Sequence, residues 1–145
     1  MKSNNKILNK YIYRLLIISF LIIFVNSLES LIYAKSNELL NSYLKLNPSS
    51  TANDYLNIVL TNYFASIIET VIITIFTVFT YKKFGITKLY KFIFGAIVFL
   101  RIFNTILKFN YSSVFYYLSI ILYILLLVLI VTAPITKRKV NNGLL

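Results

Sequence analysis

The sequence predicts an all-α integral membrane protein, a four-helix transmembrane bundle whose N and C termini both lie in the cytoplasm. Three observations predict the class: 59% of the 145 residues are hydrophobic, only 13% are charged, and the mean hydropathy is +0.78. Soluble domains average about half apolar residues and about a quarter charged ones. The short length favours a single domain.

Four apolar runs are long enough to cross the hydrocarbon core, which takes about 20 helical residues. They lie at residues 11–34, 56–81, 92–109 and 114–135. None alternates between apolar and polar residues as the strands of a membrane barrel do, so all four are predicted to be helices. The junction after Ala34 resembles a signal-peptide cleavage site. The run before it is long enough to span, however, and we expect a retained helix.

The segments between the runs carry their own signals. The loop at residues 35–55 is the longest, and its leucines and a tyrosine share one helical face, which predicts a short interfacial helix. Thr51 and Asp54 have the spacing of a capping box ahead of the second span. Pro134 should end or bend the fourth helix. The connections at residues 82–91 and 110–113 are tight, which predicts that the second, third and fourth helices are antiparallel neighbours.

Basic residues predict the orientation, because cytoplasmic loops are enriched in Lys and Arg. Eleven of the fifteen basic residues fall on the side of the two termini. The net charge of +11 therefore follows the topology and favours lipid over nucleic acid as its partner. The residues expected to contact lipid headgroups are Lys82, Lys83, Lys137, Arg138 and Lys139.

The composition also limits the chemistry. The chain has no His and no Cys, and its only Met is Met1. These absences remove the usual ligands of zinc, haem, copper and iron–sulfur clusters, as well as any thiol or imidazole nucleophile. With only four carboxylates, no nucleophile–base arrangement is recognisable. We therefore predict no catalytic residues, no metal, no cofactor and no enzymatic activity.

One arginine lies inside an apolar run, in GAIVFLRIFN. Arg101 is about 15 Å along the helix from Lys91, and Glu69 is about 19 Å from Lys82. A turn centred on Gly85 brings the two to the same depth. An isolated charge at the bilayer centre costs at least about 2.5–3.5 kcal/mol. The sequence therefore predicts a buried Glu69–Arg101 ion pair.

Further polar residues at helical spacing extend this into an intramembrane polar layer. Its members on the first three spans are Asn26, Glu29, Asn62, Ser66, Glu69, Arg101, Asn104 and Lys108. Glu29 and Lys108 are expected to meet near the outer surface. Two interpretations remain open: a structural pair that fixes helix register, or an ion-binding or titratable site lining a cavity.

Two other patterns carry packing predictions. The small pair Gly95 and Ala96 in the third span permits close approach of another helix. Tyrosines near the span ends, such as Tyr90 and Tyr117, are typical of interfacial anchors.

A resemblance to a known family rests on four of these features. They are Glu29 near the outer end of the first span, Glu69 within the second, the run FGAIVFLR ending at Arg101, and the basic tail KRK. In these the chain resembles the phosphate-starvation-inducible E (PsiE) family, small bacterial and archaeal proteins with four predicted spans. The resemblance implies a prokaryotic cell-membrane protein in which Glu29, Glu69 and Arg101 are a family feature. It implies little about activity.

The function expected from this sequence is that of a non-enzymatic accessory, structural or regulatory subunit of a membrane assembly. Four short spans bury little core and leave surface for lipids, for other subunits or for self-association. The alternative is an oligomeric ion- or proton-coupled transporter or channel that uses the Glu69/Arg101 layer. Binding of a lipid or quinone between the helices also stays open.

Overall fold

The computed structural model describes residues 2–80, 85–107 and 113–135, with side chains from residue 8 onward. These residues form five helices and no strand. The helices are α1 (Lys2–Lys35), α2 (Asn37–Leu46), α3 (Ala52–Thr80), α4 (Lys88–Leu107) and α5 (Val114–Val131). All but α2 are long and apolar enough to cross a membrane. The predicted fold class, an all-α four-helix membrane bundle, is confirmed.

Local backbone signals set the start of α3 and the end of α5. At the start of α3, the Thr51 amide donates to Asp54 Oδ2 at 2.7 Å, and the Asp54 amide donates to Thr51 Oγ1 at 3.3 Å. This reciprocal capping box starts the helix four residues before the apolar run at residue 56. At the other end of the chain, α5 stops at Val131, three residues before Pro134.

The loop between the first two spans contains α2. Its N-cap Ser36 accepts a hydrogen bond from the Leu39 amide at 3.3 Å, and none of its residues is buried. The Tyr43 ring lies 5.6 Å from the Tyr55 ring, centroid to centroid, which holds α2 against the start of α3. A helix thus forms in this loop, while its position at a membrane interface stays a prediction.

Successive spanning helices run in opposite directions. Both described chain ends therefore lie at the same end of the bundle. Tyr11 near the start of α1 contacts Tyr90 near the start of α4, hydroxyl to hydroxyl at 3.2 Å. Lys91 Nζ donates to the Val131 carbonyl at the end of α5, at 2.8 Å. We call this the inner end of the bundle and the opposite end, which carries α2, the outer end.

The packing order differs from the order along the chain. α1 lies against both α3 and α5, and α4 packs along α5, whereas α3 and α4 meet over only a short stretch. The expectation that the second and third spans face each other as close neighbours is therefore wrong. Gly85 in their connection has a φ of 73°, a left-handed conformation that suits glycine. The two helices diverge from this connection.

One apolar cluster fills the bundle. Its fully buried members are contributed by α1, α3, α4, α5 and the residue after the Gly85 turn, and they include Leu15, Ile22, Ile73, Ile86, Val98, Leu126 and Ile130. Large hydrophobic side chains also cover the outside, such as Phe79 and Phe92, as lipid contact requires. Gly95 is buried, yet a Cβ there would meet no atom within 4 Å. Within the described chain it therefore supports no close helix contact.

Candidate functional site, a polar cavity at the outer end

A cavity of about 440 Å³ opens between the helices at the outer end of the bundle. Most of its lining residues carry a polar group, although polar and apolar surface contribute about equally to its walls. Its described lining consists of Asn26, Glu29, Ser30, Tyr33, Val59, Asn62, Tyr63, Ser66, Arg101, Thr105, Tyr116, Ser119 and Tyr123. Arg101 lies about 9 Å from the outer end of α4, and Glu29 lies about 9 Å from the end of α1. We call this space the outer cavity.

Arg101 points into this cavity against an aromatic ring and not towards an acid. Its Cζ lies 5.7 Å from the centroid of the Tyr123 ring, within the range of a cation–π interaction. Its Nε is buried without a hydrogen-bond partner among the described residues. Both the ring and the guanidinium belong to the α4–α5 contact, which is one of the close ones in the bundle.

The predicted Glu69–Arg101 ion pair is not formed. In the part of the chain that the structure describes, no carboxylate oxygen lies within 4.0 Å of a Lys or Arg nitrogen. Glu69 does not line the outer cavity. Its Oε2 is buried without a hydrogen-bond partner, although the side chain as a whole is only half-buried. The pairing fails because α3 and α4 diverge, so equal depth does not bring the two side chains together.

Two side chains from α1 supply the opposite wall. Glu29 Oε1 accepts a hydrogen bond of 2.9 Å from the Tyr33 hydroxyl one turn away. Asn26 is buried, and its Nδ2 donates to the Ile22 carbonyl at 2.8 Å. Glu29 remains part exposed at the rim. The acid of the cavity is therefore accessible and is held by a neutral hydroxyl.

Tyr123 links α5 to α3 across the cavity. Its hydroxyl donates to the Ser66 carbonyl at 2.9 Å, and its ring is almost fully buried. Ser66 Oγ turns back to the Tyr63 carbonyl at 2.6 Å, and Tyr63 in turn lies 2.9 Å from Ser27 on α1, hydroxyl to hydroxyl. These contacts fix the walls of the outer cavity. Sequence reasoning overlooked Tyr123, because a lone tyrosine in a leucine-rich span carries no distinctive spacing.

Ser119 is another lining residue that the sequence analysis did not single out. It is 6% exposed, it lines the outer cavity, and its Oγ has no hydrogen-bond partner among the described residues. Serines in membrane helices usually donate to a carbonyl of the preceding turn. Thr105 does so here, donating to the Arg101 carbonyl at 2.8 Å. The Ser119 hydroxyl makes no such bond in the described part of the chain.

The remaining residues of the predicted layer are distributed as follows. Asn62 joins the cavity wall from α3 and is exposed, whereas Asn104 is exposed and lies off the cavity. The predicted partner of Glu29 and the predicted headgroup contacts lie outside the described residues; they are Lys108, Lys82, Lys83, Lys137, Arg138 and Lys139. The outer cavity thus gathers Asn26, Glu29, Asn62, Ser66 and Arg101 but neither Glu69 nor Asn104.

A mainly apolar layer lies directly inward of the outer cavity; Thr70, one turn inward of Ser66 on α3, is also buried there. Ile22 is one turn inward of Asn26, Val98 is one turn inward of Arg101, and Leu126 is one turn inward of Tyr123. With Ile73 of α3 they are at most 2% exposed and belong to a single cluster. We call these four residues the floor layer. The outer cavity therefore ends inside the bundle and does not cross it.

No protein-family model, curated protein sequence or solved structure matches this chain. The resemblance to the PsiE family therefore stays a prediction. The geometry of the outer cavity and of the floor layer is the basis for any functional argument.

A second set of polar side chains lies at the inner end, and its hydroxyls are hydrogen-bonded to one another. The Tyr90 hydroxyl lies 2.6 Å from Thr77 Oγ1 and 3.2 Å from the Tyr11 hydroxyl. The Tyr90 ring packs against Phe94 at 4.9 Å and Phe76 at 6.4 Å between centroids. Tyr90 is thus buried and joins three helices, and its interpretation as an interfacial anchor is wrong. We call Tyr11, Thr77 and Tyr90 the inner cluster.

Proposed function

We propose that the protein is a non-enzymatic membrane subunit that binds a small polar ligand in the outer cavity, as an accessory or regulatory component of a membrane assembly. The observation that carries the proposal is a cavity of about 440 Å³ whose walls combine polar and apolar surface and whose floor is apolar. Sites for small molecules have this size and this small number of convergent polar groups. The absence of His and Cys from the sequence supports a role without catalysis.

The basic residues near the termini support an orientation in which the outer cavity faces the outside of the cell membrane. The resemblance to small bacterial and archaeal proteins supports a prokaryotic membrane. In that orientation a ligand enters from outside and meets the floor layer. A subunit of this kind stabilises or regulates its assembly by binding the ligand and does not need to conduct ions.

A second candidate is the oligomeric ion- or proton-coupled carrier. One observation favours it: Glu69 lies on the same face of α3 as Ser66, one turn further inward, with a buried and unpartnered Oε2. An ionisable group inside a membrane is a functional hypothesis by default. The carrier would require the floor layer to open, which separates the two candidates experimentally.

The test uses single-cysteine variants, because the native chain has no cysteine. Asn62→Cys reports on the outer cavity, Val98→Cys and Ile73→Cys report on the floor layer, and Asn41→Cys on exposed α2 is the positive control. Each variant is placed in sealed vesicles. Separate samples are treated with a membrane-impermeant thiol reagent on one side or on the other. Labelling in SDS afterwards shows that unreacted thiols were present.

We expect Asn62→Cys and Asn41→Cys to react from one and the same side, and the floor variants to react from neither side. Reaction of Val98→Cys or Ile73→Cys with the aqueous reagent would overturn the proposal in favour of the carrier. Failure of Asn62→Cys to react while Asn41→Cys reacts would remove the outer cavity as a binding site.

A further inference from the structure

We propose that the outer cavity takes a zwitterion, with the oxyanion of the ligand at Arg101 and Ser119 and its ammonium group at Glu29. This inference rests on the proposed function, since it names the ligand class of the same cavity. Three features carry it: two unpartnered donors on one wall, an accessible acid on the other, and the charge balance between them.

The oxyanion end is formed by α4 and α5. Arg101 Nε and Ser119 Oγ are buried and lack hydrogen-bond partners among the described residues, and both residues line the outer cavity. Both atoms can donate, and a buried donor without an acceptor is unfavourable. A carboxylate or phosphodiester oxygen can accept a hydrogen bond from either donor. Hydrogen bonds between a guanidinium and an oxyanion are among the strongest in proteins.

The packing of Arg101 leaves it suited to this contact. The Arg101 Cζ lies over the Tyr123 ring, 5.7 Å from its centroid. A cation–π contact of this kind does not use the N–H donors of the guanidinium. Because no acid within 4.0 Å neutralises Arg101 in the described chain, its charge is available to a ligand.

The ammonium end is formed by α1. Glu29 is part exposed at the rim, and its Oε1 accepts a hydrogen bond from the Tyr33 hydroxyl. An ionised carboxylate has about four acceptor sites, so it can accept further bonds beside this one. Ser30 lines the cavity next to it. An alkylammonium group needs several such acceptors.

The charge of the walls decides between ligand classes. The described lining contains one acid, Glu29, and one base, Arg101. An anion bound alone would leave a net negative charge in a partly dehydrated space, and a cation bound alone would leave a net positive one. A ligand with one charge of each sign leaves the filled site neutral, which is the least costly arrangement away from water.

Two sources can supply this chemistry at the outer end of the bundle. One is a free amino acid or a similar solute. The other is the headgroup of a zwitterionic phospholipid such as phosphatidylethanolamine, whose phosphodiester and ammonium groups match the same two walls. A single experiment with two arms distinguishes them.

The experiment measures protection of Asn62→Cys against the impermeant reagent, in the full chain held in phosphatidylglycerol nanodiscs. The probes are glycerophosphoethanolamine and alanine as zwitterions, glycerol phosphate as the anion, and ethanolamine as the cation. We expect at least one zwitterion to give half-protection at about a tenfold lower concentration than either singly charged probe, as one charge-assisted contact implies. In the lipid arm, phosphatidylethanolamine nanodiscs replace the phosphatidylglycerol ones.

The outcomes separate the sources. Protection that is already complete in phosphatidylethanolamine nanodiscs, without a soluble probe, identifies the lipid headgroup. Protection that needs a soluble zwitterion in both lipids identifies a free solute. Equal protection by glycerol phosphate, or no protection by any zwitterion in either lipid while Asn62→Cys still reacts, overturns the inference and leaves the proposed function standing.

Three variants test the assigned contacts in the Asn62→Cys background. Arg101→Gln, Ser119→Ala and Glu29→Gln should each raise the half-protection concentration of the protecting zwitterion about tenfold. Glu38→Gln removes an exposed acid on α2, outside the cavity, and should change it less than about twofold. Unchanged protection in Arg101→Gln or in Glu29→Gln would contradict the assignment of that wall. Circular dichroism checks that each variant remains helical.

Discussion

The two ends of this bundle use polar side chains in opposite ways. At the inner end, the hydroxyls of Tyr11, Thr77 and Tyr90 contact one another between aromatic rings and are all buried. At the outer end, Arg101 and Ser119 leave buried donor atoms without a partner around an open space. A polar network in which every group has a hydrogen-bond partner stabilises a fold. A buried polar group without a partner calls for another explanation, such as a functional role. We therefore interpret the inner cluster as structural, and this contrast supports the proposal that the outer cavity binds a ligand.

The largest effect on stability is expected when the Tyr90 ring is removed. Tyr90→Ala should lower the free energy of unfolding by about 3–5 kcal/mol, because it empties a packed aromatic site in the core. Tyr117→Ala, which truncates a tyrosine that is 49% exposed, is the matched control. It should cost about 0.5 kcal/mol or less. Unfolding in SDS–detergent mixtures, followed by circular dichroism, measures both, and equal losses would show that the inner cluster is not a core element.

A smaller loss of stability is expected for Tyr123, a residue of the outer cavity that also joins α5 to α3. Tyr123→Phe keeps the ring beneath Arg101 but removes the hydroxyl that reaches the Ser66 carbonyl at 2.9 Å. Hydrogen bonds between membrane helices are worth about 0.6–1.7 kcal/mol, so the loss should lie in that range. The same unfolding assay measures it. A stability equal to that of the native chain would mean that α3 and α5 are held by packing alone.

Gly95 lies between the two regions on α4, and a Cβ there meets no atom within 4 Å. Gly95→Ala should therefore raise helix stability by up to about 1 kcal/mol, since glycine is the weaker helix former. Size-exclusion chromatography with light scattering provides a second readout. If a second copy packs on Gly95 in solution, the alanine will weaken that oligomer, and the prediction of a simple stabilisation fails.

The smallest effect is predicted for the residue assigned to binding. Ser119→Ala removes a buried hydroxyl that has no hydrogen-bond partner among the described residues. Stability should change by less than about 0.5 kcal/mol or increase, because an unsatisfied group is lost and no bond is broken. Thr77→Val, which removes a bonded hydroxyl of the inner cluster, is the comparison variant. A loss in Ser119→Ala as large as that in Thr77→Val would end the distinction between the two regions.

Much of the candidate site was predictable from spacing. Asn26 and Glu29 share a helical face, as do Asn62 and Ser66, and these faces turn into the bundle because lipid offers polar groups no partner. Ser119 and Tyr123 were not predictable, since one serine and one tyrosine in an apolar span give no periodic signal. The inner cluster had a signal that was not used: Thr70, Thr74 and Thr77 recur on one face of α3.

The sequence by itself determined the class of the protein, its four spans and the capping box at Thr51 and Asp54. These depend on hydropathy and backbone hydrogen bonding within a few consecutive residues. Only the tertiary structure decided that α1 packs against α5 while α3 and α4 diverge, and that Arg101 lies over the Tyr123 ring instead of pairing with Glu69. Helix order and rotation result from the packing of side chains distant in the chain, and in a membrane van der Waals fit drives that packing. Matching depth is a property of each helix alone and does not make two residues meet.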